Sequence, residues 1–267
     1  MIYNLRQLVR YRALIQSLVA RELKARYRGS VLGFFWSFIN PLLLLLIYTF
    51  VFSVVLPRPM NEKGEELKHY ALFLFCGLLP WTWFTASLTD AANSLLAGGN
   101  LIKKVLFPAE ILPIVSVLAN MMHFFFGLPI LLAFLIYYQQ PLHPAELLWF
   151  PIVVLVQLLL TLGVGVFLAA LTVHFRDIRD ILANLLTFWF FATPIIYEMA
   201  FVPEKGQKFV NLNPFTHLAI SYQEILYYDG PFGHWKWLFA LAVAALLVFL
   251  VGYFFFDRLR DSFAEEV

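Results

Sequence analysis

Residues 147–175 read LLWFPIVVLVQLLLTLGVGVFLAALTVHF, and no Asp, Glu, Lys or Arg interrupts them. An α-helix of roughly 20 apolar residues crosses a bilayer core about 30 Å thick, so this stretch is long enough to span a membrane. The whole chain has the same character, since 61% of its 267 residues are hydrophobic and only 13% are charged. A soluble domain has a smaller apolar share and about twice the charged share. The sequence therefore predicts an all-α polytopic membrane protein.

Five further stretches are free, or nearly free, of charged residues. They are residues 29–57, 70–89, 111–145, 181–197 and 237–256. The stretch 111–145 is longer than one helix needs, but Pro141 and Pro144 predict a turn near its end. Together with residues 147–175, these stretches predict six transmembrane helices.

A weaker apolar stretch, residues 209–228, lies between the fifth and sixth predicted helices. If it crossed the membrane, the chain would have seven spans and its ends would lie on opposite sides. If it enters and returns, the count stays at six. Arg258 and Arg260 follow the last helix, and basic residues favour the cytoplasmic side, as in the arginine-rich N-terminal segment. We therefore expect a re-entrant segment and two cytoplasmic termini.

The apolar pattern leaves no room for a soluble domain, so we expect a single transmembrane domain over residues 1–267. Its parts would be a cytoplasmic interface helix at 1–28, a six-span bundle at 30–256 and a cytoplasmic tail at 257–267. All three parts follow from where the charged residues stop and resume along the chain.

The N-terminal segment has the pattern of an amphipathic helix that lies in the membrane interface. Its apolar residues recur at helical spacing with arginines between them, and they are Leu5, Leu8, Ile15, Leu18 and Val19. The arginines either anchor the chain by the positive-inside rule or contact anionic lipid head groups and lipid-linked phosphates. The candidates for head-group contact are Arg6, Arg10, Arg12, Arg26 and Arg28.

The sequence has no pattern of a catalytic, metal or nucleotide site. The pair Gly98 and Gly99 is followed by Asn-Leu-Ile-Lys-Lys, which is not the spacing of a phosphate loop. The six histidines are scattered, and the single cysteine, Cys76, has no partner in the chain. A net charge of +2 gives no field of the kind that a nucleic-acid binder needs. We expect no catalytic residue, metal or cofactor in this chain, and no nucleic-acid partner.

Two polar segments are candidates for contact with another protein. Residues 98–113, GGNLIKKVLFPAEILP, are too apolar for a solvated loop, so they either dock on a partner surface or lie flat on the bilayer. Residues 174–181, HFRDIRDI, predict a helix end that faces the cytosol. Arg176 and Asp180 have the i,i+4 spacing of an ion pair, and partner contact is a second role for this segment.

A third polar segment, residues 211–228, predicts a helix that begins at Pro214 and is capped by Asn213. Glu224 within it would be costly in lipid, so it should face protein, water or a passage. The segment is therefore either a gate or a surface helix. The same cost predicts that Asp90 faces the interior of the bundle or lies at a helix transition.

Aromatic residues make up 18% of the chain, and most of them suit lipid or the membrane interface. A minority could line a passage, where their flat faces would stack on sugar rings. The candidates for this role are Trp36, Tyr48, Trp81, Trp83 and Tyr197.

Four motifs in this chain resemble those of the membrane subunits of type-2 ABC transporters. They are RYRGSVLGFFWSFINPLL at 26–43, NLIKKVLFPAEILP at 100–113, FRDI at 175–178 and NPFTHL at 213–218. Within that family the chain is most similar to the polysaccharide exporters of the O-antigen, capsule and teichoic-acid group, and the similarity covers essentially its full length. Each motif alone is weak evidence for the family, but all four in this order and at these spacings are specific to it.

This resemblance implies an exporter of the bacterial inner membrane, built from two copies of this chain and two copies of a separate ATPase subunit that binds Mg-ATP. Its substrate would be a glycan on an undecaprenyl-type lipid, moved through a conduit on the two-fold axis. Segment 98–113 would be the coupling helix. The implied coupling residues are Asn100, Leu101, Ile102, Lys103, Lys104, Leu106, Phe107, Pro108, Arg176 and Asp177. Segment 209–228 would gate the outer mouth, which adds Phe215, Tyr222 and Glu224 to the conduit or gate candidates.

Three other functions fit parts of the pattern. A drug or small-lipid exporter of the same superfamily would share the architecture. A membrane-embedded enzyme acting on lipid-linked sugars would need a cluster of acids or histidines at one membrane face, which the sequence does not predict. A passive channel or scaffold would have no ATPase partner.

Overall fold

The computed structural model describes residues 10–55, 70–104 and 107–266, and every regular element in these ranges is helical. This confirms the all-α class. The helices are α1 (Arg12–Arg26), α2 (Trp36–Phe50), α3 (Tyr70–Ala97), α4 (Gly99–Lys104), α5 (Ile111–Tyr137), α6 (Pro144–Leu147), α7 (Phe150–His174), α8 (Ile178–Phe191), α9 (Glu204–Leu212), α10 (Pro214–Leu226), α11 (Trp235–Leu259) and α12 (Phe263–Glu266).

Five helical stretches in the described residues are long and apolar enough to cross a membrane. They are Gly33–Phe50, Tyr70–Ala97, Ile111–Tyr137, Pro144–His174 and Trp235–Ser262. Each one overlaps a predicted span. In the remaining predicted span, 181–197, helix α8 has 14 residues and is about 21 Å long, which is less than the bilayer core. The structure thus supports a multi-pass chain, and the count of six stays a prediction.

Three local predictions can be compared with the structure in detail. The turn after the third span is confirmed, since α5 ends at Tyr137 and Gln139 adopts a positive φ of 54°. The cap of α10 is confirmed, because the Asn213 side chain accepts a hydrogen bond from the Phe215 N–H and Pro214 is the first helical residue. The second span is longer than predicted, since α3 continues through Asp90, whose charge is paired.

Helix α3 lies at the centre of the bundle, with 83% of its most apolar window buried. Helices α7 and α11 approach each other most closely through two glycines. A Cβ atom on Gly252 would lie 2.4 Å from the Gly163 carbonyl oxygen, so only glycine permits this contact. Small residues bring membrane helices together in this way. Helix α2 lies at the edge, where only 11% of its window is buried.

The loops fall at two ends of the bundle. The near end holds α1, α4, α12 and the junction between α7 and α8, where His174 Nε2 lies 3.0 Å from Ser262 Oγ. The far end holds the segments 138–149, 196–203 and 227–234. Gln140 Nε2 donates to the Tyr227 carbonyl oxygen at 2.6 Å there, and the Phe232 N–H donates to Glu146 Oε2 at 2.7 Å. The described parts of segments 1–28, 98–113, 174–181 and 257–267 therefore share one end.

Candidate functional site

The predicted coupling segment is a short helix that is fixed by its own apolar residues. Ile102 packs against a buried cluster that contains Leu95 and Phe263, and Phe107 packs against a second cluster beneath α1. Leu101 and Pro108 are half-buried, whereas Asn100 and Lys103 are exposed. Ile102 thus anchors α4 and Phe107 anchors the segment after it, whereas Asn100 and Lys103 face outward. Leu106 lies outside the described residues, and so does the side chain of Lys104.

The junction between α7 and α8 presents Arg176 and Asp177, both exposed at the near end. The predicted ion pair between Arg176 and Asp180 is wrong, because none forms within 4.0 Å in the described part of the chain. The physical reason is that α8 begins at Ile178, so Arg176 lies in the preceding turn and the spacing of a helix does not apply. Asp180 instead lies in the first turn of α8, where a negative charge is favourable.

A polar network joins the end of α1 to two helices of the bundle. Arg26 Nη2 donates to Asp90 Oδ2 at 2.5 Å, and Arg26 Nη1 donates to Asn120 Oδ1 at 3.0 Å. Asn120 Nδ2 closes the ring by donating to Asp90 Oδ2 at 2.8 Å. Glu22, one turn earlier on α1, lies 3.8 Å from Arg26 Nε. Arg26 was predicted to contact lipid head groups, and the structure shows that it also has partners within the protein.

A cavity of about 520 Å³ lies beside this network, between α2, α3 and α5. Trp36 and Trp83, two of the predicted passage residues, both line it. Its wall also carries a hydrogen-bonded chain in which Ser37 Oγ donates to the Tyr27 hydroxyl at 2.8 Å, and that hydroxyl lies 3.2 Å from His123 Nδ1. The cavity combines aromatic faces with polar groups, as a site for an amphipathic ligand requires.

The other conduit or gate candidates do not meet in this cavity. Trp81, Phe215 and Tyr222 are buried in the aromatic core, where the rings of Trp81 and Phe215 are 4.8 Å apart. Tyr48 stacks on Phe52, just after the end of α2, and the Tyr197 hydroxyl donates to a backbone carbonyl at 3.1 Å. Their contact with substrate stays a prediction, and for the buried rings it requires the bundle to open.

Glu224 lies at the far end and faces protein, in agreement with one of its predicted environments. Its Oε2 atom accepts hydrogen bonds from the N–H groups of Gly233 and His234, both at 3.0 Å. Burial raises the pKa of Glu224, and these two N–H groups oppose that effect. The acid thus holds the loop before α11 against α10.

Two histidines extend this contact between α10 and α11. His217 Nδ1 lies 2.9 Å from His234 Nε2, and His217 Nε2 lies 2.9 Å from the Asn211 carbonyl oxygen. The His217 ring stacks on Trp237 with the centroids 4.6 Å apart. Burial lowers the pKa of His217, while burial and then the nearby His217 lower that of His234 to about 4. Sequence reasoning treated these histidines as scattered, since the pairing appears only in the fold.

The remaining basic candidates lie on or next to α1. Arg10, Arg12 and Arg28 are exposed, so they are free to contact lipid or another protein. Arg6 lies outside the described residues. An exposed position suits both anchoring and head-group contact, so both roles of these arginines stay predictions.

The sequence matches the ABC-2 type transporter family over residues 13–227. It is 40% identical to the O-antigen export system permease protein RfbA of Myxococcus xanthus over the full length of both chains. It is 32% identical to a protein of the same name from Klebsiella pneumoniae over 94% of each chain. It is also 22% identical to the Polysialic acid transport protein KpsM of Escherichia coli, over 77% of this chain and 78% of that protein.

Proposed function

Because the chain belongs to the ABC-2 type transporter family, we propose that it is the membrane-spanning subunit of an ATP-driven exporter of a lipid-linked polysaccharide. The observation that carries this proposal is the 40% identity, over the full length of both chains, to an O-antigen export permease. The relative named for polysialic acid transport supports the same class of substrate. The transport subunit itself would not hydrolyse ATP.

The near end is the surface that we assign to the ATPase partner. Two copies of this chain would bind two ATPase subunits, and Mg-ATP would lie in the partner. A docking surface needs exposed polar groups on a firmly held element, and the near end has both. Its α4 is anchored by Ile102, and the exposed polar residues are Asn100, Lys103, Arg176 and Asp177. Because Ile102 anchors α4 and Phe107 anchors the segment that follows it, we expect a push on this surface to be passed to the bundle.

Charge supports the orientation that we propose. Exposed basic residues such as Arg10, Arg12 and Arg28 lie at the near end, which favours a cytoplasmic position for that end and for both termini. We assign the chain to the bacterial inner membrane because its resemblance to the export permeases implies it. The whole chain then forms one membrane domain.

The path of the chain after α8 supports six crossings with a re-entrant segment. Phe215, at the start of α10, packs on Trp81 and Phe84 within α3, whereas Tyr227, just after α10, packs on Phe73 near the far end of α3. Helix α10 thus runs from the middle of the bundle to the far end. We assign it to the gate at the outer mouth, beside a conduit between two copies of the chain.

Co-expression with the ATPase subunit encoded beside this chain tests the proposal. We expect the two subunits to purify together and to hydrolyse ATP, with hydrolysis stimulated by lipid-linked glycan. Lys103→Glu should reduce the retained ATPase roughly tenfold, since reversing one interface charge is worth on the order of 1 to 2 kcal/mol. Lys208→Glu, an equal change at an exposed position on α9, is the control.

Two outcomes would contradict the proposal. If no ATPase is retained by the unmodified chain, the coupling assignment fails. If the pair forms but drugs or small lipids stimulate hydrolysis while glycans do not, the substrate assignment fails and the chain is an exporter of another class.

A further inference from the structure

The network of Arg26, Asp90 and Asn120 lies where it can join α1 to the coupling segment. Arg26 is the last residue of α1. Asp90 lies about two turns before the end of α3, and Asn120 lies about two and a half turns into α5. Helices α3 and α5 are the two helices that flank α4 in the chain. The three side chains therefore tie α1 to both neighbours of the coupling helix.

A second attachment, made of apolar residues, lies in the middle of α1. Leu18 is 8% exposed and packs with Ile111 and Val115 of α5, and Phe107 packs against the same cluster. One attachment would leave α1 free to pivot, whereas two attachments fix its direction. Helix α1 is thus held against α5 at its middle and against both α3 and α5 at its end.

The hydrogen bonds within the network determine the orientation of each group. Asn120 accepts from Arg26 through Oδ1 and donates to Asp90 through Nδ2, so its amide can take only one orientation. Two carboxylates, Asp90 and Glu22, lie beside the single guanidinium. A lipid phosphate at Arg26 would have to compete with both acids, which favours a positioning role over a head-group role.

We propose that Arg26, Asp90 and Asn120 are positioning residues that make α1, α4 and the adjoining parts of α3 and α5 move as one body when the ATPase displaces α4. This inference rests on the proposed function. Without the network, α1 would keep only its apolar attachment, and movement of α4 would be absorbed by a change in the angle of α1. Hydrolysis would then continue with less export.

The experiment measures glycan exported per ATP hydrolysed, with the complex of this chain and its ATPase in lipid vesicles. Arg26→Asp and Asp90→Arg should each lower this ratio roughly fivefold or more. A fivefold change is the lower limit of the usual effect when two distant sites are coupled. The double variant Arg26→Asp/Asp90→Arg restores the pair with reversed charges, and it should recover part of the ratio, since Glu22 would then lie beside a like charge at position 26. Arg21→Asp is the matched control, since this exposed α1 residue has no ion pair in the described part of the chain.

A structural role and a lipid role give different results. Loss of ATPase retention in step with loss of export would mean that the network only supports folding, and it would overturn the inference. Failure of the double variant to recover while Arg28→Asp has the same effect as Arg26→Asp would indicate head-group binding and would also overturn it. If the reversed charges prevent folding, Asp90→Asn, which keeps the shape and removes the charge, must still lower the ratio.

The inference and the proposed function fail in different ways. If the unmodified complex exports glycan and all network variants match it, only the inference is wrong. If the unmodified chain binds no ATPase or exports no glycan, the proposed function itself is wrong.

Discussion

Asn213 uses its whole side chain to hold the break between α9 and α10. Its Oδ1 atom accepts from the Trp189 indole N–H at 2.6 Å and from the Phe215 N–H at 3.0 Å. Its Nδ2 atom donates to Thr193 Oγ1 at 2.8 Å and to the Ala192 carbonyl oxygen at 3.2 Å. This one residue connects the end of α8 to the start of α10.

Asn213→Ala should destabilise the protein by about 2 to 4 kcal/mol, because it removes a helix cap and leaves buried donors unpaired. The measurement is thermal unfolding in detergent. Asn213→Asp keeps both accepted bonds and loses the donated ones, so its loss should be smaller. Equal stability of the alanine variant and the unmodified chain would show that the break does not depend on Asn213.

The histidine pair predicts a pH dependence at the far end. The pKa of His234 falls from its ordinary value of 6.5 to about 4 in the folded chain, and that of His217 is also lowered. Between pH 6.5 and 4 the unfolded chain therefore binds more protons at these histidines than the folded chain does. The stability that the neutral pair gives the folded chain at about pH 7 is thus lost as the pH falls. The raised pKa of Glu224 acts in the opposite direction and offsets part of this loss.

Lowering the pH from about 7.5 to about 5 should thus reduce the unfolding temperature more in the unmodified chain than in His234→Gln, which can donate to His217 but does not titrate. Thermal unfolding at several pH values gives the comparison. Identical pH profiles for the two proteins would exclude the pair as the source of acid sensitivity.

At the residue scale, the helix cap was predicted correctly because its partner is a chain neighbour, whereas the Arg176–Asp180 pair was wrong because Arg176 lies before the start of α8. Asn213 caps a helix that starts at the next residue, and such a cap is a local pattern. Asp90 was expected to avoid lipid, but its partner Arg26 lies 64 positions away, and no spacing rule covers that distance. His217 lies on α10 and His234 lies 17 positions later, just before α11, so their contact was missed for the same reason.

At the scale of the elements, the packing of α7 against α11 depends on glycine. Gly252 and Gly163 allow one backbone to approach the other, and a Cβ atom on Gly163 would lie 2.6 Å from the Phe249 nitrogen. The neighbouring atoms are backbone atoms, so they cannot move aside without shifting a helix. The close contact of these two spans is therefore sensitive to a single added carbon.

Gly252→Ala should destabilise the bundle by about 1 to 3 kcal/mol, the usual cost of overpacking. Gly233→Ala is the control, since its nearest neighbouring atom is 3.9 Å from the added carbon. Unfolding temperatures of the two variants give the answer. An unchanged temperature for Gly252→Ala would mean that α7 and α11 are not as close as described.

The elements themselves follow closely from composition, and the exceptions have a physical cause. Hydropathy measures how apolar a stretch is, so it located five helices of spanning length. It does not measure where a helix ends, and α8 stops at Phe191 within the fifth predicted span. The path of α9 and α10 depends on packing against α3, which composition does not record.

At the scale of the whole molecule, α2 stands out as the span with the smallest buried share. Asn40 on α2 is exposed at the edge of the cavity beside Trp36, and an exposed polar side chain is unfavourable in lipid. The exposed residues Leu43 and Ile47 lie on the same face, three and seven positions later. We therefore expect this face of α2 to meet a second copy of the chain across the conduit.

Cysteine cross-linking tests this arrangement, because the only native cysteine, Cys76, is fully buried. Ile47→Cys should form covalent dimers with a short thiol-specific cross-linker in membranes. Phe239→Cys on α11, which is also exposed, is expected to face lipid and to stay monomeric. Dimers from Phe239→Cys alone would place the interface on α11 instead.

As an export permease, this chain would move a lipid-linked polysaccharide with energy from a partner ATPase. The most direct measurement reconstitutes the co-purified pair in vesicles and follows the appearance of glycan on the side opposite to ATP. We expect glycan transfer that requires hydrolysable ATP and stops when the ATPase is omitted. Transfer that proceeds equally without ATP, or hydrolysis with no glycan transferred, would contradict it.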